Sequence, residues 1–305
     1  MPIYPLTNSD LSPHLSMHLK TQTDEFIEVF SKDDLVDSVR YAISKQKPYV
    51  VLGGGSNTVA KQSRYFGIVI KNSFKSSEII KESSNEIILQ VSSGYPMSLL
   101  VSETVEKGWG GLEYHKGLPG TVGGAIVMNS KWTQPVSYVS DCLEEAILLD
   151  LNGIEKKVNK NYFNFSYGYS LLQVNKEILV SGIFRLTKVD QVLLKDRSKQ
   201  AELYRQKTQP YGVSTSGCFF KNISETDRIK LNINTKSAGY LIDQCGLKGM
   251  SVGNFEVSRV HANFILNSMH GESKPKDLLT LVTLIKKKVY ENFGIQLMEE
   301  VISIS

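Results

Sequence analysis

Two glycine runs hold the residues best suited to chemistry in this chain. In the first, Gly53, Gly54 and Gly55 follow a short apolar run, Tyr49 to Leu52, and lead into Ser56 and Asn57. The second is GLEYHKGLPGTVGGAIVMN at 111 to 129, where Gly117, Gly120, Gly123 and Gly124 lie near Pro119. Glycine tolerates positive φ and lets another backbone or a ligand approach where a Cβ would block it. Successive N–H groups can make a concave nest for phosphate oxygens. Gly117, Gly120, Gly123 and Gly124 are therefore a candidate phosphate nest, and Gly53 to Gly55, leading into Ser56 and Asn57, a backbone that another molecule approaches closely. A tight turn accounts for one or two of the first glycines, and a plain connecting loop for the second run. Neither run has GxGxxG spacing, and no GK[ST] follows, which excludes a P-loop.

The elements that must position these runs can be sketched from patterning. SKDDLVDSVRYAISK reads as a helix, with Ser31 as N-cap, Asp34 three residues on, and Leu35, Val39, Ala42 and Ile43 on one face. Tyr49 to Leu52 reads as a buried strand, so the first glycine run opens at a strand end. FGIVIKN and NEIILQVSSG are β-branched strands. Residues 96 to 107 suit a helix begun by Pro96 and stopped by Gly108. The stretch 109 to 128 reads as irregular. EEAILLDL and GIEKKVNK predict a hairpin across Asn152-Gly153. The charged segment 190 to 207 reads as an exposed helix joining two halves. An amphipathic stretch around 236 to 245 and a helix at 277 to 290 follow, the latter with Leu278, Leu281, Val282, Ile285 and Val289 on its apolar face. Separate strand and helix runs predict an α+β fold.

With 305 residues, 41% hydrophobic and 22% charged, the chain has the composition of a globular protein of one large or two smaller domains. The net charge of +4 is small and spread along the chain; the one tight cluster, Lys286 to Lys288, sits on a predicted helix. That argues against nucleic acid as the main partner and leaves an anionic small molecule compatible. Cys142, Cys218 and Cys245 are an odd set without paired spacing, which predicts no disulfide framework and a reducing compartment. No clustered His/Cys pattern predicts a metal site. No apolar run approaches membrane-spanning length and no secretory signal is visible, so the expected location is the cytoplasm, away from the membrane.

VLGGGSN and GLPGTVGGAIVMN together resemble the two flavin-pyrophosphate loops of the UDP-N-acetylenolpyruvoylglucosamine reductase (MurB) family, which implies Gly53, Gly54, Gly55, Ser56, Asn57, Gly120, Thr121, Val122, Gly123 and Gly124 as FAD-binding residues. The resemblance continues in order through RQKTQP at 205 to 210, SGCFFKN at 216 to 222, SAGYLIDQCGLKGMSVGNFEVSRVHANFILN at 237 to 267 and LMEEV at 297 to 301. It runs from about residue 48 to 301 and is most specific over 237 to 267. It implies an FAD-binding domain of the vanillyl-alcohol-oxidase (PCMH) type over 1–190, a linker helix at 191–207 and an α+β substrate domain over 208–305. The implied activity takes hydride from NADPH to FAD and on to the enolpyruvyl ether of UDP-N-acetylglucosamine, for peptidoglycan synthesis. The chain is short for the family, which resembles its compact type II branch.

In the family motif GSxFKN the serine donates a proton to the substrate α-carbon; the matching residue here is Cys218, whose thiol is a stronger acid than a hydroxyl. A nearby Lys207 or Lys221 would tend to leave it a thiolate, which cannot donate. Glu300 matches the catalytic glutamate, while adjacent Glu299 reads as an exposed strand carboxylate. Lys207 and Asn222 match positions that contact substrate or nicotinamide phosphates. Tyr167 and Ser170, in FSYGYS, match the family's YRxS segment. Two departures stand out. The catalytic arginine of that segment is replaced by Gly168, and after Asn129 the family's AGAYG is replaced by SKWTQ. Lys131 and Arg205 are candidate substitute cations. His115, within the second flavin loop, reads as a solvent-facing histidine, with covalent flavin attachment as the alternative. Three readings of function follow: the reductase itself, a related flavoprotein acting on another nucleotide-linked sugar, or an impaired paralogue that only binds FAD or the UDP-sugar.

Overall fold

A computed structural model describes residues 3–305. The expectation about the extreme N-terminus rests partly on Met1 and Pro2, which lie outside the described residues. The chain divides into two compact units. Unit 1 takes Glu25–Gly54 and Gly67–Arg205, with residues 3–6. Unit 2 takes Thr7–Asp24, Gly55–Phe66 and Gln206–Ser305.

In unit 1 the helix Lys32–Ser44 forms as its sequence predicts. Ser31 Oγ accepts from the Asp34 amide at 3.1 Å, and Asp33 and Asp34 face the positive end of the helix dipole. Its Leu35, Val36, Val39 and Ala42 are buried in one cluster with Ile27, Val29, Ile68 and Ile70. The strand Tyr49–Leu52 pairs in parallel with its neighbour from Tyr49↔Ile68 to Leu52↔Lys71, which fixes where the first glycine run begins.

An antiparallel sheet forms the other half of unit 1, in the order Glu155–Asn159, Leu143–Leu149, Ile178–Lys188, Glu86–Ser92, Ser77–Glu82, with Trp109–Gly110 also on the central Ile178–Lys188 strand. The predicted hairpin is present. Gly153 has φ +73°, and Asp150 Oδ1 accepts from the amides of Asn152 and Ile154. The helix Met97–Glu106 starts after Pro96 and ends before Gly108, at φ +71°.

Two expectations need correction here. The second glycine run is not irregular throughout, since Val122–Val127 is helical and is capped by Thr121 Oγ1 on the Gly124 amide. Close packing overrides the low helix propensity of glycine: a Cβ on Gly123 would lie 2.9 Å from the Ser93 carbonyl oxygen. The charged helix Gln191–Thr208 is not simply an exposed linker. It buries Leu194, Ser198 and Ala201, and Arg197 Nη1 lies 3.2 Å from Glu113 Oε1, within unit 1.

Unit 2 is built on an antiparallel sheet in the order Ser214–Cys218, Phe264–Asn267, Phe255–Val257, Ser251–Val252. The helix Pro275–Phe293 buries the predicted Leu278, Leu281, Val282, Ile285 and Val289 and stops at Gly294, φ +67°. The expected boundaries at 190 and 208 miss two early segments that belong here. Thr58–Ala60 pairs in parallel with Ile302–Ile304. Asn267 Nδ2 donates to the Met17 carbonyl at 2.7 Å, and the Lys20 amide to Ser273 at 3.0 Å. These partners lie more than 200 residues away in sequence, beyond the reach of local patterning.

Candidate active site

The two glycine runs come together in unit 1. A Cβ on Gly54 would lie 2.5 Å from Gly120 Cα, and one on Gly53 would collide with Thr121 Oγ1. Only glycine permits that approach. The supply of amides is narrower than the sequence suggests. Val122 donates to the Tyr95 carbonyl at 2.9 Å, Gly123 to Ser93 at 2.8 Å, and Gly124 to Thr121 Oγ1 at 3.4 Å. The amides of Val122, Gly123 and Gly124 are thus taken up within the protein. Sequence reasoning missed Lys71, whose ammonium donates to the Gly53 carbonyl. Burial lowers its pKa, opposed by the Glu28 carboxylate. Its position at the end of the strand paired with Leu52 was the available signal.

The rest of the first run is held in unit 2. Gly55 has φ +66°, a Cβ there would collide with the His14 carbonyl, and its own carbonyl accepts from the Ser16 amide at 3.1 Å. Asn57 donates from Nδ2 to the Glu300 carbonyl at 3.3 Å and accepts from the Ile302 amide at 2.8 Å. The Asn57 side chain is thus spent on tying the loop to the Glu300 segment.

His115 is not solvent-facing. It is 1% exposed, 3.4 Å from Ser137 Oγ, and its pKa is pulled to about 4 by burial, with the Arg205 charge adding to the effect. A buried neutral imidazole at this place supports packing. Burial likewise pushes the Cys142 thiol up to about 12, leaving it protonated.

The FSYGYS segment folds back on the end of the glycine helix in unit 1. Ser170 Oγ donates to the Val127 carbonyl at 2.7 Å, Gln173 Nε2 donates to the same oxygen at 2.8 Å, and Asn129 Nδ2 donates to Ser166 at 3.0 Å. Gly168 has φ +61°, and a Cβ built on it meets nothing within 4 Å. Tyr167 is 38% exposed, and Lys131 Nζ lies 5.6 Å from its ring centroid and 5.7 Å from that of Tyr138. Arg205 instead stacks over Trp132 at 5.3 Å. Of the two candidate cations, Lys131 is the one set against the Tyr167–Gly168 turn.

In unit 2, Cys218 and Glu300 lie on neighbouring extended segments. Phe220 is bridged to Glu299, the Glu300 amide donates to the Phe219 carbonyl at 2.8 Å, and Lys221 donates to Met298 at 2.8 Å. Cys218 is half-buried, pairs with Phe264 across a register shift, and follows Gly217 at φ +79°. Buried Asn263 clamps the same segment, donating to the Phe220 carbonyl and accepting from the Phe220 amide. Exposed Asn222 accepts from the Ala238 amide at 3.3 Å, at the start of the helix Ala238–Gln244. Lys207 is exposed near the end of the helix Gln191–Thr208. Among the described residues, no cluster of three His, Cys, Asp or Glu side chains has metal-binding geometry.

Both units find counterparts among known proteins. Residues 24–159 match the family model of the FAD binding domain, which together with the mixed helix and sheet content bears out an α+β, FAD-binding fold. Residues 209–304 match the model of the UDP-N-acetylenolpyruvoylglucosamine reductase C-terminal domain. The chain is 35% identical over 278 residues to the reductase of that name from Protochlamydia amoebophila, covering 90% of this chain and 86% of that one. It is 30% identical over 299 residues to its namesake from Gloeobacter violaceus, covering 95% of each. The crystal structure of the Thermus caldophilus enzyme superposes with a TM-score of 0.80 at 26% identity over all of both chains. The chain belongs to the UDP-N-acetylenolpyruvoylglucosamine reductase family. No described helix is long and apolar enough to cross a membrane.

The unit 1 residues fit FAD. Cβ atoms added at Gly53 and Gly54 would strike Thr121 Oγ1 and Gly120 Cα, so the two loops meet backbone to backbone within the stretch that matches the FAD binding domain.

Proposed function

We propose that the protein is an NADPH-dependent flavin oxidoreductase that reduces UDP-N-acetylglucosamine enolpyruvate to UDP-N-acetylmuramate, in the cytoplasm and for peptidoglycan synthesis. Unit 1 holds FAD through Gly53, Gly54, Gly120 and Thr121, with Gly55, Ser56 and Asn57 completing the first loop. Unit 2 takes the UDP-sugar. When bound, FAD supplies the hydride exchange between NADPH and substrate. Hydride reaches the terminal enolpyruvyl carbon, negative charge develops on the α-carbon and carboxylate, and a proton must reach the α-carbon. Cys218 delivers that proton. Glu300, the counterpart of the family's catalytic glutamate, is the second catalytic group. Asn222, Lys207 and Tyr167 bind substrate or nicotinamide phosphates. Lys131 takes the charge-offsetting role that the family gives to the arginine matched by Gly168; it is the cation packed against Tyr167.

The observation that carries this reading is the placement of Cys218 and Glu300 on hydrogen-bonded neighbouring segments. The test is Cys218→Ala in stopped flow. Product formation is expected to slow by about 10²–10⁴-fold while flavin bleaching by NADPH keeps its rate. Equal loss in both half-reactions overturns the proton-donor role. A second reading, a paralogue that binds without turning over, is favoured by Gly168 alone. It predicts a yellow protein, bleached by NADPH, that UDP-N-acetylglucosamine enolpyruvate fails to recolour.

A further inference from the structure

Lys71 carries a charge into a place where charge is costly. It stands near the end of the strand Arg64–Asn72 and pairs with Leu52, the last residue before the first glycine run. Successive side chains of a strand point to opposite faces. Ile68 and Ile70 pack in the cluster built on the helix Lys32–Ser44, so Val69 and Lys71 lie on the other face. The neighbouring strand Gln22–Val29 alternates in the same way: Ile27 and Val29 join that cluster, while Phe26 and Glu28 point away from it. Leu52, Val69 and Phe26 are buried. Lys71 thus sits beside apolar side chains, half-buried, with its ammonium on the Gly53 carbonyl.

That ammonium is poorly compensated. Burial lowers its pKa, and Glu28 opposes the effect only through space, its own carboxylate accepting from Ser73 Oγ at 2.6 Å. Among the described residues, no carboxylate forms an ion pair with Lys71. A partly desolvated charge with one neutral acceptor lowers stability, and an apolar side chain of similar length would avoid that cost. An ammonium has three donors, and the Gly53 carbonyl takes one. What would balance it is an anion. The loop it touches meets Gly120 and Thr121 within the stretch that matches the FAD binding domain.

We propose that Lys71 supplies the cation for the diphosphate of FAD. The inference rests on the reading of unit 1 as the FAD site under the proposed function. It adds a charge to two glycine runs, 53–57 and 120–124, that carry none. Lysine suits a diphosphate as a compact point charge.

The experiment uses the full chain, as holoprotein and after removal of FAD. FAD, riboflavin and UDP are titrated into the native protein, Lys71→Met, Lys71→Gln and Lys71→Arg. Loss of a charge-assisted contact is expected to weaken FAD binding by Lys71→Met about tenfold or more. Riboflavin, which has no diphosphate, and UDP, whose diphosphate belongs to the substrate, are expected to hold their affinities within about twofold. Lys71→Arg is expected to keep most of the FAD affinity. Lys71→Gln still reaches the Gly53 carbonyl but has no charge, and is expected to lose as much as Lys71→Met. Without FAD, the thermal midpoint of Lys71→Met is expected at or above the native value, while its rise on adding FAD shrinks. Lys71→Gln carries the test if Lys71→Met fails to fold. If the native protein binds no FAD, the reading of unit 1 falls, and the inference with it. If the native protein binds FAD and both uncharged variants bind it equally well, the role of Lys71 alone is overturned. It is also overturned if Lys71→Gln keeps the native affinity, since the lysine then only holds a carbonyl. Equal weakening of riboflavin would make the effect one of loop structure, and weakening of UDP instead of FAD would move the charge to the substrate; either result overturns the assignment.

Discussion

Gly54 and Gly168 are both glycines of unit 1, and they are glycine for opposite reasons. At Gly54 there is no room: a Cβ would sit 2.5 Å from Gly120 Cα, backbone against backbone. At Gly168 there is room to spare, with nothing within 4 Å of a Cβ, although φ is +61°. The first glycine is required by what it touches. The second occupies a position that the sequence resemblance matches to an arginine, and the structure leaves space beside it. Glycine in a sequence therefore signals either close approach or a missing group, and only the neighbours tell which.

The largest expected effect comes from breaking the crowded side. Gly54→Val forces the two loops apart, since a backbone neighbour cannot swing away as a flexible side chain does. The purified variant is expected to be colourless and to show no rise in thermal midpoint on adding FAD, where the native protein is yellow. A yellow Gly54→Val protein with native flavin absorbance would remove that loop contact from the account.

That contrast also marks how far the sequence could be read. The strand ending at Leu52, the capped helix Lys32–Ser44 and the Asn152-Gly153 hairpin follow from local patterning, and they form as read. The helix at Val122–Val127 does not, because its glycines answer to Ser93 and Thr121, contacts that no propensity encodes. Unit 2's claim on Thr7–Asp24 and Gly55–Phe66 is invisible for the same reason: Met17 pairs with Asn267, and Thr58 with Ile302. In the candidate site, Cys218 and Glu300 are named through resemblance alone. Lys71 is not named, since a lone lysine in a strand reads as a surface residue. Glu299 was misread as exposed because its lysines come from residues 61 and 286.

The crowded side of the comparison carries a pH dependence as well. Beside the second glycine run, His115 is buried neutral, with its pKa pulled to about 4 from 6.5 by burial and then by Arg205, against the opposing charge of Asp141. Between those values the unfolded chain binds the proton and the folded one does not, so stability falls as pH drops. The stabilisation is full above about pH 6.5 and is lost progressively down to about pH 4, an effect on the order of 3 kcal/mol. Thermal melts of the native protein and of His115→Gln across this window test it. The variant is expected to be less stable at pH 7.5 but to lose less between pH 6.5 and pH 4. Parallel slopes would mean that His115 titrates normally in the folded state.

On the open side, Lys131→Met tests the substitute cation. Loss of one charge-assisted contact to a carboxylate is expected to reduce kcat/KM for the UDP-sugar by about tenfold, equivalent to about 1.4 kcal/mol. Flavin bleaching by NADPH is expected to hold, and Lys131→Arg to keep most of the activity. A native kcat/KM in Lys131→Met would leave the Tyr167–Gly168 turn without the cation assigned to it.

The smallest effect sharpens the comparison most. In Gly168→Arg, the left-handed backbone costs a non-glycine residue about 1–2 kcal/mol, while the open space costs nothing sterically at Cβ. The hydrogen bond from Gln173 Nε2 to the Gly168 carbonyl, at 3.1 Å, involves the backbone and survives the change. The variant is thus expected to fold with a modestly lower thermal midpoint. With Lys131 in place, the new guanidinium duplicates an existing charge, and kcat/KM is expected to shift by no more than about threefold. With Lys131→Met, the same substitution is expected to recover several-fold activity, because it restores a cation to the same turn. That difference between backgrounds separates a glycine whose side chain has been replaced from one that the backbone demands. If Gly168→Arg folds well yet gives no recovery in Lys131→Met, the open space beside Gly168 is not where the missing charge acts.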